Sequence, residues 1–218
     1  MPERVELKTA DGWTIVGDHY REPQDSPAVL LLHMMPATRG SWEAFANVLN
    51  QNGFGALAID LRGHGESDGG PDGWRDFKDE DHQGSIEDVR AAIAFQRAEG
   101  HKKLFIVGAS IGANLALQFL AESGDVSAAV LLSPGIAYRG VMTMPAAPSV
   151  RPEQGVFIAA AKDDKRAGGA ADEMARQIFG ALSCRKEFEV FDTGGHGTDL
   201  FAAHPELAQK IVNWLRNF

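Results

Sequence analysis

The chain has 218 residues, 44% of them hydrophobic, and 21 Lys and Arg against 30 Asp and Glu give a formal net charge of −9. This length predicts one compact domain over residues 1–218, and the acidic balance argues against nucleic-acid or anionic-membrane binding through a general electrostatic field. Residues 1–12 carry no signal-peptide pattern, no apolar run is long enough to span a bilayer, and Cys184 is the single cysteine, so a cytoplasmic protein is expected.

The first elements alternate between strand and helix patterns. Two segments of alternating hydrophobicity on either side of Asp11-Gly12 predict an antiparallel hairpin. Residues 28–33 (AVLLLH) form a short apolar run, as expected of a strand buried on both faces. Apolar residues then recur at helical spacing over residues 42–49, with Ser41 at the expected N-cap. The chain therefore opens with a hairpin, a buried strand and an amphipathic helix.

The middle of the chain repeats this alternation. Residues 53–60 predict a second buried strand and residues 85–100 a helix, in which Ser85 and Asp88 are spaced as a capping box and Gly100 ends the helix. Further buried strands are predicted at residues 103–109, 127–134 and 155–161, a final strand at residues 187–192, and further helices at residues 114–123, 170–182 and 207–215. Such alternation predicts an α/β fold with a mostly parallel central sheet and helices on both faces. The least regular stretches, residues 65–84 and 134–155, are expected to be functional loops.

Ser110 stands at a turn between a predicted strand and a predicted helix. Residues 108–112 read Gly-Ala-Ser-Ile-Gly, a G-x-S-x-G pattern whose small flanking residues allow strand and helix to approach closely. Such a turn lifts the serine hydroxyl above the carboxyl edge of the sheet, beside the positive end of a helix. Ser110 is therefore predicted to be a nucleophile, which would need a base, a group that orients the base, and donors for the oxyanion.

The chain resembles the α/β-hydrolase superfamily over nearly its whole length. The resemblance rests on the turn at Ser110, on HMMP at residues 33–36 and DLRGHGESDG at residues 60–69, and on AAKDD and GGHGTDL after the last two strands. Its small size and missing cap look most like the small carboxylesterase and dienelactone-hydrolase-like branches. The resemblance implies the α/β-hydrolase fold and the chain order Ser, acid, His for a catalytic triad.

The resemblance also implies where the acid and the base stand. The acid follows the strand at residues 155–161, where Asp163 and Asp164 are adjacent; aligning Ala160 with the last small residue of the family's strand favours Asp163. The base is predicted to be His196, which follows the last strand and is framed by glycines. The other histidines, His33 and His64 among them, are expected to be structural because their positions do not match.

Two backbone N–H groups are expected to bind the oxyanion, one from Ile111 and one from Met35. Relatives commonly have glycine where this chain has Met34, so the loop must either avoid a positive φ there or accept strain. The segment at residues 133–154 is too short for a full helical cap, which predicts an open site. Met34, Tyr138, Met142 and Met144 are candidate lining residues of an adaptable apolar acyl pocket.

These features predict a cofactor-free serine hydrolase that cleaves small-molecule carboxylic esters of small to medium acyl chain through an acyl-enzyme. A thioesterase, a C–C hydrolase or a peptidase would use the same triad, and a non-catalytic ligand-binding protein would share the fold. The loop at residues 62–69 lacks the third glycine of a dinucleotide motif, because Asp68 stands there. No metal site is predicted, since no paired Cys or His spacing is present.

Overall fold

A computed structural model describes residues 1–166 and 169–218 of the chain, apart from the side chain of Arg166. Its main feature is an eight-stranded sheet with the order β1-β2-β4-β3-β5-β6-β7-β8. The strands are β1 Glu3–Lys8, β2 Thr14–Tyr20, β3 Ala28–Leu32, β4 Gly55–Ile59, β5 Leu104–Ala109, β6 Val126–Leu132, β7 Gly155–Ala161 and β8 Arg185–Phe191. β2 pairs antiparallel with β1 and β4, and the pairs from β4 to β8 are parallel. The predicted α/β-hydrolase fold is confirmed.

Helices cover both faces of this sheet. They are α1 Glu43–Gln51, α2 Asp79–Gln83, α3 Ile86–Ala98, α4 Ile111–Glu122, α5 Ala171–Ala181, α6 Asp199–Ala203 and α7 Glu206–Leu215. Helices α3, α4 and α5 pack on one face against residues such as Leu30 and Ile106, whereas α1, α6 and α7 pack on the other against Leu31 and Phe105. The alternation follows from the two-residue period of a strand, which sends neighbouring side chains to opposite faces.

No helical cap lies above the sheet in the described residues. Between β6 and β7 the chain forms a two-residue hairpin, Ala137–Tyr138 with Val141–Met142, and one 3-10 turn, Ala147–Ser149. The loop after β4 carries a 3-10 turn at Gly73–Arg75 and the short α2. Among the helices described, none is both long and apolar enough to cross a membrane.

The N-cap predicted at Ser41 is wrong, whereas Ser85 is the N-cap residue of α3 but lacks the predicted capping box. Ser41 lies inside a 3-10 helix, Arg39–Trp42, that precedes α1, and its hydroxyl donates to the Thr38 carbonyl. The Ser85 side chain makes no capping bond, and the Asp88 carboxylate accepts hydrogen bonds from the backbone and guanidinium of Arg62 instead of closing a capping box. Asp88 is fully buried, so a distant cation satisfies it where a local cap was expected.

Candidate active site

Ser110 occupies a strained turn between β5 and α4. Its backbone has φ 54° and ψ −117°, a region that residues with a Cβ rarely adopt. The glycines on either side are required by space: a Cβ on Gly108 would come within 2.1 Å of the Gly112 carbonyl oxygen, and one on Gly112 within 2.3 Å of the Leu32 carbonyl oxygen. This is the geometry of a nucleophile elbow, which presents the hydroxyl above the carboxyl edge of the sheet.

His196 is paired with Asp164. Its Nδ1 lies 2.6 Å from Asp164 Oδ2, and both side chains are almost completely buried. A carboxylate can only accept here, so Nδ1 carries the proton and Nε2 is left as the basic nitrogen. The expectation that Asp163 orients His196 is wrong in this geometry. The strand β7 runs to Ala161, one residue beyond the alignment that favoured Asp163, so the next carboxylate along faces the ring.

Asp163 binds the backbone of the same loop. Its two carboxylate oxygens accept the N–H groups of Gly194, at 3.1 Å, and of Gly195, at 3.2 Å. The adjacent carboxylates therefore have separate partners: Asp164 holds the imidazole, and Asp163 holds the main chain that carries it. We call residues 194–197 the histidine loop.

The histidine loop reaches the surroundings of Ser110. A Cβ on Gly197 would lie 2.6 Å from Met34 Sδ and 3.2 Å from Ala109 Cβ, so this glycine packs beside the residue that precedes Ser110. The Gly197 N–H donates to Ser133 Oγ at 3.0 Å. Ser133 is fully buried directly after β6 and has a φ of 49°. The fold therefore brings the carboxyl ends of β3, β5, β6, β7 and β8 together around Ser110.

His33 sets the orientation of the oxyanion loop, residues 33–39. Its Nδ1–H donates to the Met34 carbonyl at 2.9 Å, and its Nε2 accepts the Leu61 N–H at 3.0 Å. The peptide between Met34 and Met35 is trans, so its N–H points opposite to its C=O and is turned away from the His33 ring. Among the described residues the N–H groups of Met35 and Ile111 make no hydrogen bond. The loop also has no positive φ at Met34.

Burial keeps His33 neutral. The ring is completely buried, and desolvation, with a smaller contribution from His64, lowers the pKa of His33 from 6.5 to about 3. A neutral imidazole has one donor and one acceptor nitrogen, which matches its two partners. His33 is thus a structural group, as the sequence predicts.

The far end of the oxyanion loop is held by charge. The Arg39 guanidinium pairs with Asp60 and with Asp18, and its backbone N–H donates to Asp60 at 2.8 Å. Asp60 is fully buried after β4 and also accepts the Glu66 N–H. Ser67 Oγ donates to the Asp60 carbonyl and accepts the Val16 N–H. The segment at residues 60–67 therefore braces the oxyanion loop and the adjacent strand β2.

The four side chains expected to line an acyl pocket separate into two groups. Met34 packs against the histidine loop. The ring of the half-buried Tyr138 lies edge-on to the His196 ring, with 6.3 Å between the ring centroids. Met144 is half-buried against the core on the α4 side. Met142 is 48% exposed and lines a groove of about 720 Å³ with residues of α3 and α4 that include none of Ser110, Asp164 or His196. The structure therefore does not bring Met142 together with Ser110, Asp164 and His196.

Sequence reasoning missed Ser133 and the separate role of Asp163. Ser133 follows a buried strand at the carboxyl edge of the sheet, a position that would have identified it as a candidate. In the part of the chain that the structure describes, no group of three or more His, Cys, Asp or Glu side chains is arranged to hold a metal ion.

Comparison with known proteins agrees with this architecture. Residues 23–164 match the family model described as serine aminopeptidase, S33. Over 107 residues the chain is 31% identical to the AB hydrolase superfamily protein YisY of Bacillus subtilis, a match that spans 48% of this chain and only 37% of that protein.

Solved structures share the fold at low sequence identity. An esterase of Pyrococcus furiosus superposes with a TM-score of 0.81 and 19% identity over 100% of this chain and 91% of its own. An esterase of Exiguobacterium antarcticum superposes with a TM-score of 0.78 and 17% identity over 98% of this chain and 100% of its own. At such identities these likenesses establish the fold and nothing finer.

Proposed function

The chain belongs to the serine aminopeptidase S33 family of α/β hydrolases, and on that premise we propose that it is a serine hydrolase that cleaves carboxylic esters. One observation carries the proposal: Ser110 stands in a strained turn at the sheet edge, beside a loop whose buried histidine is paired with Asp164. A serine for nucleophilic attack and an oriented imidazole to take its proton are central components of ester cleavage by acyl transfer.

In the proposed mechanism, Ser110 Oγ attacks the acyl carbon of the ester while His196 Nε2 takes the serine proton. Asp164 holds the imidazole in the required tautomer and stabilises the imidazolium that forms. The tetrahedral oxyanion is bound by the N–H groups of Ile111 and Met35, which have no other partner among the described residues. Collapse expels the alcohol, protonated by His196, and leaves an acyl-enzyme. A water activated by His196 then releases the acid.

The substrate class follows from the access to the site. The segment between β6 and β7 contributes only a short hairpin and a turn, so bulky groups meet no helical lid from this segment, which the structure describes in full. Met34 and Tyr138 offer an apolar, partly flexible lining beside His196. We therefore propose small-molecule esters of small to medium acyl chain as substrates. Thioesters react through the same steps.

The test is hydrolysis of p-nitrophenyl acetate, butyrate and octanoate by the wild type and by Ser110→Ala. We expect kcat to fall by about a thousandfold or more in the variant, with an unchanged circular dichroism spectrum. Equal rates in the two proteins would show background esterolysis and would overturn the assignment of Ser110. Faster cleavage of octanoate and longer esters than of acetate and butyrate would contradict the chain-length proposal alone.

The family description favours a second candidate, cleavage of an N-terminal peptide bond. The same triad hydrolyses amides, since acyl transfer is common to both reactions. Amino-acid p-nitroanilides assayed beside the p-nitrophenyl esters separate the two. A kcat/KM for an anilide that exceeds those for the esters, and that is lost in Ser110→Ala, would favour the peptidase.

A further inference from the structure

The histidine loop needs anchors beyond the bond from His196 to Asp164. Three of its four residues are glycines with positive φ: 157° at Gly194, 68° at Gly195 and 59° at Gly197. Glycine reaches such angles easily but is also the most mobile residue, so the sequence alone leaves the loop free to move. The Nδ1 bond fixes one atom of the ring and does not fix the backbone from which the ring projects.

Asp163 anchors the loop on the N-terminal side of His196. Its Oδ2 accepts the Gly194 N–H and its Oδ1 accepts the Gly195 N–H, so one carboxylate spans two consecutive amides. Hydrogen bonds to a charged acceptor are stronger than neutral ones. Asp163 directly precedes Asp164, so the same turn of chain after β7 holds both the ring and the backbone before it.

Ser133 anchors the loop on the C-terminal side. Its Oγ accepts the Gly197 N–H at 3.0 Å, and its own N–H donates to the Ala159 carbonyl of β7 at 2.8 Å. Ser133 adopts a φ of 49° although it is not glycine, and it is completely buried. A glycine would take this backbone conformation with less strain, so the hydroxyl is the feature that sets serine apart at this position.

We infer that Asp163 and Ser133 are positioning residues, which hold the backbone on both sides of His196 and so fix the place from which its imidazole acts on Ser110. This inference rests on the proposed function, and it assigns neither residue a contact with substrate. It also gives the second aspartate of the pair a role that differs from that of Asp164: one carboxylate acts on the ring and the other on the loop.

The first test is Ser133→Gly, with Ser133→Ala as a second variant that retains a Cβ. We expect Ser133→Gly to be at least as stable as the wild type in urea, because backbone strain is relieved, while kcat for p-nitrophenyl butyrate falls about tenfold at nearly unchanged KM. A merely structural serine would show the opposite pattern, a loss of stability with kcat retained. That result would overturn the inference for Ser133.

The second test is Asp163→Ala beside Asp163→Asn, with Asp192→Ala as a matched control. Asp192 is an exposed carboxylate after β8 that pairs with Lys162 and, among the described residues, makes no hydrogen bond to the histidine loop. We expect kcat to fall about tenfold in Asp163→Ala, less in Asp163→Asn because an amide oxygen still accepts an N–H, and not in the control. An unchanged kcat in Asp163→Ala would overturn the inference for Asp163.

A spectroscopic readout separates this inference from the proposed function. The proton on His196 Nδ1, in its short bond to Asp164, should give a far-downfield proton NMR signal that is absent in His196→Gln. We expect this signal to broaden or move upfield in Ser133→Gly and Asp163→Ala. If the wild type hydrolyses no ester but the signal responds, the loop anchoring stands and the proposed function falls. If esters are cleaved and the signal is unchanged in both variants, the anchoring falls alone.

Discussion

Two loops flank Ser110, and they are held in place by different means. The oxyanion loop, residues 33–39, contains no glycine and is held by its own side chains, His33 at one end and Arg39 at the other. The histidine loop is mostly glycine and is held by side chains from elsewhere, Asp163 and Ser133. The oxyanion loop thus carries its own anchoring side chains, whereas the glycines of the histidine loop allow its backbone conformation and leave the anchoring to other segments.

The difference follows from what each loop must present. The oxyanion loop presents a backbone N–H, so its side chains are available for buried anchoring contacts. The histidine loop presents a side chain, and its neighbours must adopt left-handed backbone angles to deliver it. Glycines meet that need but have no side chain with which to anchor the loop. The two loops contact each other where Met34 of the oxyanion loop packs against Gly197 of the histidine loop.

The largest expected effect separates the two adjacent carboxylates that bind the histidine loop, Asp164 and Asp163. Asp164→Asn should lower kcat for ester hydrolysis by roughly 10³–10⁴-fold, because the imidazole loses both its tautomer and the stabilising charge. Asp163→Asn should lower it by tenfold or less, because within the described residues the hydrogen bonds of the Asp163 side chain go to backbone N–H groups. Steady-state kinetics on p-nitrophenyl butyrate measure both. Equal losses would mean that the distinction between ring and loop anchoring is wrong.

The next effect concerns the clamp of the oxyanion loop. Arg39→Ala leaves Asp60, which has no solvent exposure, without its cation. Breaking a buried ion pair in this way typically costs about 3–5 kcal/mol of unfolding free energy. Urea denaturation checks this, with Arg75→Ala as the control, because Arg75 forms an exposed pair with Asp72. The control should show no measurable change; an equal loss in both variants would refute the buried clamp.

A third prediction uses pH on the same loop. The pKa of His33 is about 3 when folded against an ordinary value of 6.5, so between these values the unfolded chain binds a proton that the folded protein does not. Its contribution to stability is therefore complete above pH 6.5 and declines as the pH falls toward 3. From pH 7 to pH 4 the free energy of unfolding should fall by up to about 3 kcal/mol through the titration of His33.

The measurement is urea denaturation at pH 7 and pH 4 for the wild type and for His33→Gln, whose side chain does not titrate. The variant should lose less stability than the wild type over this interval, whatever its stability at pH 7. Identical losses in the two proteins would show that His33 is not held neutral by burial.

The smallest effect tests the contact between the loops. Gly197→Ala places a methyl group 2.6 Å from Met34 Sδ at a φ of 59°, which should cost about 1–3 kcal/mol. Gly53→Ala is the matched control, since Gly53 has a φ of 80° and open space around it. Met34→Ala added to Gly197→Ala should recover the steric part of the cost and leave the backbone part. Thermal unfolding measures all four proteins, and no recovery would place the strain elsewhere.

Much of the fold is readable from the sequence because buried parallel strands and amphipathic helices have distinct periods. The apolar run at residues 155–161 is β7 itself, and G-x-S-x-G marks the turn at Ser110. The absence of capping bonds from the Ser41 and Ser85 side chains was not predictable in this way. Their expected bonds are replaced by a 3-10 turn and by the distant Arg62, and neither leaves a trace in the local pattern.

The sequence by itself determined the alternation of strands and helices, the elbow at Ser110 and the glycine frame of His196, because each depends on neighbours along the chain. Tertiary structure alone decided which of two adjacent aspartates meets the imidazole, that Ser133 holds Gly197, and that Met142 lines a groove separate from the histidine. Those outcomes depend on where β7 ends and how the loops cross above the sheet. A shift of one residue in the end of the strand changes which side chain faces the imidazole, and neither the composition nor the spacing of the sequence predicts that shift.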